Sequence, residues 1–79
     1  MLIAHYNGPD GGYDADKKLA SKYLVPGTDY EVYDIDMGSW MTDIYLIGHK
    51  YGFNSIYFDF YEDGKEIDIY KDPRFNPYL

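Results

Sequence analysis

Between residues 29 and 70 tyrosines alternate with carboxylates: Tyr30, Glu31, Tyr33, Asp34, Asp36, Asp43, Tyr45, Tyr57, Asp59, Tyr61, Glu66, Asp68 and Tyr70. Carboxylates pair with guanidinium and ammonium groups, and tyrosine rings supply large contact area at low entropic cost. The chemistry such a set offers is recognition of a basic surface. In the same stretch ten Asp and Glu side chains stand against Lys50 and Lys65 alone, a net charge of about −8. Two residues apart on a strand, carboxylates on one face are about 6.8 Å apart. A DNA duplex carries one charge per about 1.7 Å of axis, so one sheet face imitates it sparsely. Several strands and the Glu62-Asp63 turn have to contribute to such a surface.

Other chemistries find little support. Asp14-x-Asp16 and Asp34-x-Asp36 have the residue types of hard-cation ligands, but neither lies in the twelve-residue loop that calcium requires. Neither a metal nor any other cofactor is expected. His5 and His49 are too few and too far apart for a zinc site. As a general base His49 needs a nucleophile and an orienting carboxylate. Ser39, Ser55 and Asp43 are present, yet no spacing selects them. The glycine-rich segment from Gly8 to Gly12 lacks the lysine-hydroxyl ending of a phosphate-binding loop and reads as a plain turn. The chain is therefore expected to be no enzyme.

Composition narrows the partners. The whole chain has 79 residues, 14 acidic and 7 basic side chains, and a net charge of −7. That balance opposes phosphate backbones and anionic lipid, so no direct nucleic-acid and no membrane contact is expected. The 46% hydrophobic and 20% aromatic content is far above that of a disordered acidic chain. One domain spanning 1–79 is expected, a monomer or homodimer, since so short a chain buries only about 60% of its unfolded surface. No cysteine is present, which removes disulfides and thiolate zinc sites. The start Met1-Leu2-Ile3-Ala4-His5-Tyr6 has neither the basic flank nor the apolar length of a signal peptide. A cytoplasmic location in a bacterial host is the matching expectation.

The elements that must position the acidic residues follow from periodicity. Residues 2–6 suit a strand, and a helix is expected from about Ala15 to Leu24, ended by Pro26-Gly27. The remainder reads as an antiparallel meander. Residues 29–37 form a strand whose alternation slips at Tyr33 and Asp34, because Tyr30 and Val32 have the opposite parity to Ile35 and Met37. That slip predicts a β-bulge. Residues 40–47, 56–61 and 66–70 are the next strands, the last two joined by an Asp63-Gly64 hairpin. Parity sends Ile44, Leu46, Ile56, Phe58, Phe60, Ile67 and Ile69 to the core. It sends Asp43, Tyr45, Tyr57, Asp59, Tyr61, Glu66, Asp68 and Tyr70 outward. The fold class is mainly β (α+β): a small SH3-like antiparallel barrel, or a strongly bent sheet, with one short helix. Trp40 shares the parity of Ile44 and Leu46 and is expected to cap the barrel; the alternative is an exposed interface anchor. Phe75 and Tyr78, between prolines, are expected to close one end.

The cassette GSWMTDIYLIG, then FNSIYFDF, then the ending DPRFNPYL resembles small β-proteins of phages and mobile elements of Gram-positive bacteria. The resemblance covers residues 29–79, implies a setting rather than a reaction, and transfers no functional residue. In that setting the expected function is a non-enzymatic inhibitor, anti-CRISPR or a similar counter-defence protein and in effect a DNA mimic. Its acidic, tyrosine-rich face would occlude the site of a basic nucleic-acid-binding protein. The expected surface is Asp43, Tyr45, Tyr57, Asp59, Tyr61, Glu62, Asp63, Glu66, Asp68 and Tyr70. Two other readings stand beside it: an SH3-like adaptor that binds a peptide or subunit, and sequestration of a small nucleotide ligand.

Overall fold

Alternating apolar residues, broken by glycine turns, give six strands in the computed structural model, which describes residues 1–79. They are β1 (Leu2–Tyr6), β2 (Asp29–Met37), β3 (Thr42–Leu46), β4 (Gly52–Asn54), β5 (Phe58–Glu62) and β6 (Lys65–Ile67). The single helix α1 spans Asp14–Tyr23, and 3-10 turns occupy Ser55–Tyr57 and Ile69–Lys71. All strands join one antiparallel sheet in the order β4-β3-β2-β1-β5-β6. Helix α1 opens with Asp14 and Asp16 and closes with Lys22, the charge order its dipole favours.

One short connection forces the sheet to bend. In a flat sheet β4 and β5 would be four strand spacings apart, about 19 Å. From Asn54 to Phe58 the chain advances four residues, at most about 14 Å even when fully extended. The 3-10 turn between them shortens that reach further. The strands must therefore curl toward one another. The backbone N–H of Asn7 donates to the Tyr57 carbonyl at 2.8 Å and docks the turn against the end of β1. No ladder joins β4 to β5 or β6, so the result is a bent, unclosed sheet rather than a closed barrel.

The concave face holds the core. Ala4, Tyr6, Ile44, Leu46, Phe53, Phe58 and Phe60 line it, and Ala20 and Leu24 of the helix end cover it. The expected bulge is present: Val32 pairs with Leu46 and Asp34 with Tyr45, leaving Tyr33 extra. That one residue lets Tyr30, Val32, Ile35 and Met37 all pack inward, against Ala4, Leu46, Ile44 and Thr42 respectively in register. The Asp63-Gly64 hairpin is also as expected, with φ of 51° and 81°. Both values lie in the left-handed region that a two-residue hairpin of this type requires. Gly64→Ala should cost about 1 kcal/mol in a denaturant titration, because only glycine enters that region without steric penalty.

Several expectations are corrected. Residues 56 and 57 belong to the 3-10 turn and not to a strand, which begins only at Phe58. The turn abolishes the two-residue alternation, so Ile56 is 53% exposed and Tyr57 only 1%. The Asn54 side chain accepts from the Ile56 N–H and starts this turn. The last strand ends at Ile67, where the Asp68 carboxylate accepts from the Tyr70 N–H and opens the second 3-10 turn. Ile69 is nonetheless buried. Trp40 does not cap a barrel: β3 begins at Thr42, and the loop closed by the Gly38 N–H to Met41 carbonyl bond turns the indole out, 95% exposed. Phe75 packs on the core as expected, whereas Tyr78 is 65% exposed.

Candidate functional site

The convex face carries the side chains that the alternation sends outward, and the curl divides them into two groups. On β2 and β3, Asp34 stands opposite Tyr45 and Asp36 directly opposite Asp43. The Tyr33 and Tyr45 rings lie 6.2 Å apart beside these carboxylates. Gly52 of β4 leaves room for the Tyr45 ring, since a Cβ there would sit 3.0 Å from it. Helix α1 adds Asp16, whose carboxylate accepts from the Asn54 side-chain amide at 3.2 Å. Burial, then the nearby Asp36 and Asp16 charges, hold the Asp43 carboxyl above its ordinary value. Burial and then Asp43 and Asp36 likewise push the Tyr45 phenol up.

The second group spans β1, β5, β6 and the start of β2. Tyr61 lies between Ile3 and Glu66, and His5 between Asp29 and Asp59. His5 Nδ1 is 2.7 Å from an Asp29 oxygen, and the Asn7 amide donates to Asp59 at 3.1 Å. Asp29 and Asp59 thus have side-chain partners here, whereas the Asp36 and Asp43 carboxylates have none. A hollow of about 360 Å³ lies among Ile3, His5, Asp29, Tyr61 and Gly64. The Tyr61 phenol is raised by burial and by Glu66, Asp59 and Asp29.

Of the ten residues expected to form the surface, the structure therefore brings Asp43 and Tyr45 together in one group and Asp59, Tyr61 and Glu66 in the other. The remaining five serve the fold or stand apart. Tyr57 is buried and donates its hydroxyl to the Gly11 carbonyl at 2.9 Å. Glu62 accepts both Nη groups of Arg74, at 2.8 and 3.1 Å, and this hydrogen bonding holds its carboxyl below the ordinary range. Arg74 also grips Asp72, pinning the tail to β5. Asp63 sits at the hairpin tip 3.7 Å from the Met1 amine, Asp68 caps its turn, and the Tyr70 hydroxyl bonds the Ser55 hydroxyl.

The acidic group on β2 and β3 also includes residues outside the expected ten. Tyr33, Asp34 and Asp36 belong with Asp43 and Tyr45, and the parity change at the bulge is the sequence signal that groups them. Asp16 joins them only through the packing of α1, for which the sequence holds no signal. Arg74 is the one lysine or arginine in an ion pair, so none of the carboxylates around Asp43 has a cationic side chain against it.

His49 rests edge-on to Phe53 and Tyr30, on the concave side, whereas Asp43 faces outward. Ser55 is engaged by Tyr70, and Ser39 is exposed at the β2–β3 loop. No group of three or more His, Asp or Glu side chains is placed to hold a metal ion. No helix is long and apolar enough to cross a membrane.

The family model described as Bacteriophage T4 protein Y07B matches residues 1–79. No curated protein and no solved structure matches the chain.

Proposed function

The chain belongs to the bacteriophage T4 protein Y07B family, and from that premise we propose that it is a non-enzymatic binding protein of phage origin. It presses the acidic, tyrosine-bearing part of its convex face against the basic nucleic-acid-binding site of a host protein. The phage setting is shown by the family; Gram-positive hosts and mobile elements rest on the resemblance alone.

One observation carries the reading. Asp36 and Asp43 are direct cross-strand neighbours, with Asp16 nearby and no cation between them. Like charges placed directly opposite on a sheet destabilise it. A fold that keeps such a rung, with six lysines in the chain and none paired to it, holds unused attraction for a basic partner. Arg or Lys groups that ordinarily hold phosphates would take Asp34, Asp36 and Asp43 in their place, and Tyr33 and Tyr45 would exclude water around them. The class of target is a host nuclease or another DNA-binding protein, and a counter-defence inhibitor of the anti-CRISPR kind is one form of such a role. Competition for a phosphate site needs no chemistry from this chain.

The test is capture from a nuclease-treated bacterial lysate on the immobilised protein, washed at low and then high salt. A basic nucleic-acid-binding protein released by salt is the expected result, because exposed charges are screened within about 8–10 Å at ordinary ionic strength. The Asp36→Lys/Asp43→Lys protein should fail to capture it. Capture that ignores both salt and this charge reversal would refute the reading.

A further inference from the structure

We infer that the chain pairs with a second copy of itself through an aromatic patch centred on Trp40. This goes beyond the acidic rung and does not depend on it. The β2–β3 loop projects Trp40 into solvent, although the fold makes no use of its indole. Hollows of about 340 and 480 Å³ flank the ring, and both are lined by Trp40, Thr42 and Tyr70. Tyr13, Met41 and Ile56 line the first and Tyr78 the second, all partly or largely exposed. A large apolar side chain offers about 200 Å², and by their exposure Trp40, Tyr70 and these four leave roughly 700 Å² open to solvent. The largest apolar patch of an ordinary monomer is about 300–600 Å². A stable pair takes about 800 Å² from each partner, and Ser39 and Asn76 at the rim add to the apolar area.

Charge and shape select the occupant. Charged residues make up 27% of the chain, yet no Asp, Glu, Lys or Arg lines either hollow. A neutral patch holds nothing to draw a basic or an acidic partner, but two copies of a chain with net charge −7 can meet there without opposing carboxylates. Trp40 is a ridge and the hollow beside it a seat, so the patch carries both halves of a self-complementary contact. A twofold axis uses both halves at once, each indole entering the hollow beside the other. The loop backbone fits the same symmetry. The N–H groups of Ser39, Trp40 and Met41 have no partner within the chain, nor do the carbonyls of Ser39 and Trp40. Covering them requires that they be bonded, and the same loop running antiparallel across the axis brings both donors and acceptors.

The acidic rung sets how this pairing responds to salt. Met37 and Thr42 are paired in register next to Asp36 and Asp43, and both line the second hollow. The rung of each copy therefore lies one residue outside the contact, and the two rungs repel. Salt screens that repulsion and leaves the apolar burial in place. The pair accordingly tightens as salt rises, whereas contact of the rung with a basic partner loosens.

The test is sedimentation equilibrium of the purified protein over a range of concentrations, at low and at high salt, on wild type and Trp40→Ala. Wild type should form dimers with a Kd of about 10 μM or tighter, falling as salt rises. Trp40→Ala should weaken the pair about 30-fold or more. Trp40 is the only tryptophan, so its emission should move to shorter wavelength with concentration as the indole leaves water. Diluted until both are monomeric, the two proteins should melt at the same temperature, because within one copy the indole touches almost nothing. A wild type still monomeric at about 100 μM, an assembly larger than a dimer, a dimer kept by Trp40→Ala, or a dimer loosened by salt would each overturn the inference. Only the purified chain is measured, so the result stands whichever way the lysate capture falls.

Discussion

Tyr57→Ala should cost the fold about 3–5 kcal/mol, the usual range for removing a fully buried aromatic ring. A chain of this size has a total stability of about 4–12 kcal/mol, so most of the variant should be unfolded or close to it. The effect is large because Tyr57 sits where the sheet is made to curl. Its ring fills the core under the β4–β5 connection, its hydroxyl ties down Gly11, and its carbonyl receives the Asn7 N–H. Tyr57→Phe separates ring from hydroxyl. It keeps the packing, loses one hydrogen bond, and should cost about 0.5–1.5 kcal/mol. Urea titrations followed by circular dichroism measure both variants. Had Tyr57 stood on the outer face, as strict alternation implies, Tyr57→Ala would shift stability by no more than about 0.5 kcal/mol.

Neutralising the acidic rung should work in opposite directions on stability and on binding. Asp43→Asn removes a like-charge cross-strand pair and should raise stability by about 0.2–1 kcal/mol at neutral pH. It should also weaken capture of the basic partner, and Asp36→Lys/Asp43→Lys should weaken it at least about tenfold. The pH dependence follows from the direction of the shift. The folded Asp43 carboxyl is raised above its unfolded value of about 3.9, so the folded state holds the proton more tightly. Its contribution to stability is then most favourable below about pH 3.9 and declines as pH rises through the raised folded value. The advantage of Asp43→Asn should accordingly be present at pH 7 and vanish on acidification through that window. Glu62 and Asp72, both lowered chiefly by hydrogen bonds from Arg74, have the opposite sign. Their stabilisation exists above the unfolded carboxylate range and is lost as pH falls through the folded values. That background is common to both proteins and cancels in the difference. Paired thermal melts across pH 3 to 7 provide the check; a gap between the two proteins that widens on acidification would contradict the placement of Asp43.

Features governed by near neighbours were legible in the residues themselves. The parity change at Tyr33 predicted the bulge because one residue is the smallest unit that can move Ile35 and Met37 to the face of Val32. Asp63-Gly64 predicted its hairpin because a two-residue turn has few conformations and glycine suits them. Within β3 and β5, alternation placed Asp43, Tyr45, Asp59 and Tyr61 outward, where they stand. The family is likewise carried by the sequence over its whole length.

Other features were decided by tertiary structure. Strict alternation failed at Ile56 and Tyr57 because β4 and β5 are four strand spacings apart in the sheet but four residues apart in the chain. Only a turn can reconcile those distances, and a turn has no alternating faces. The same cause divided the expected ten-residue surface, since a curled sheet does not present one flat acidic face. Asp16 reached Asp43 through the docking of α1, and Arg74 withdrew Glu62 from the surface across twelve residues of chain. Trp40 had the parity of a core residue, yet parity acts only within a strand, and β3 starts two residues later. The sequence by itself determined the strands, the bulge and the charge. Which carboxylates stand together, and which aromatic rings meet solvent, depended on how the sheet bends.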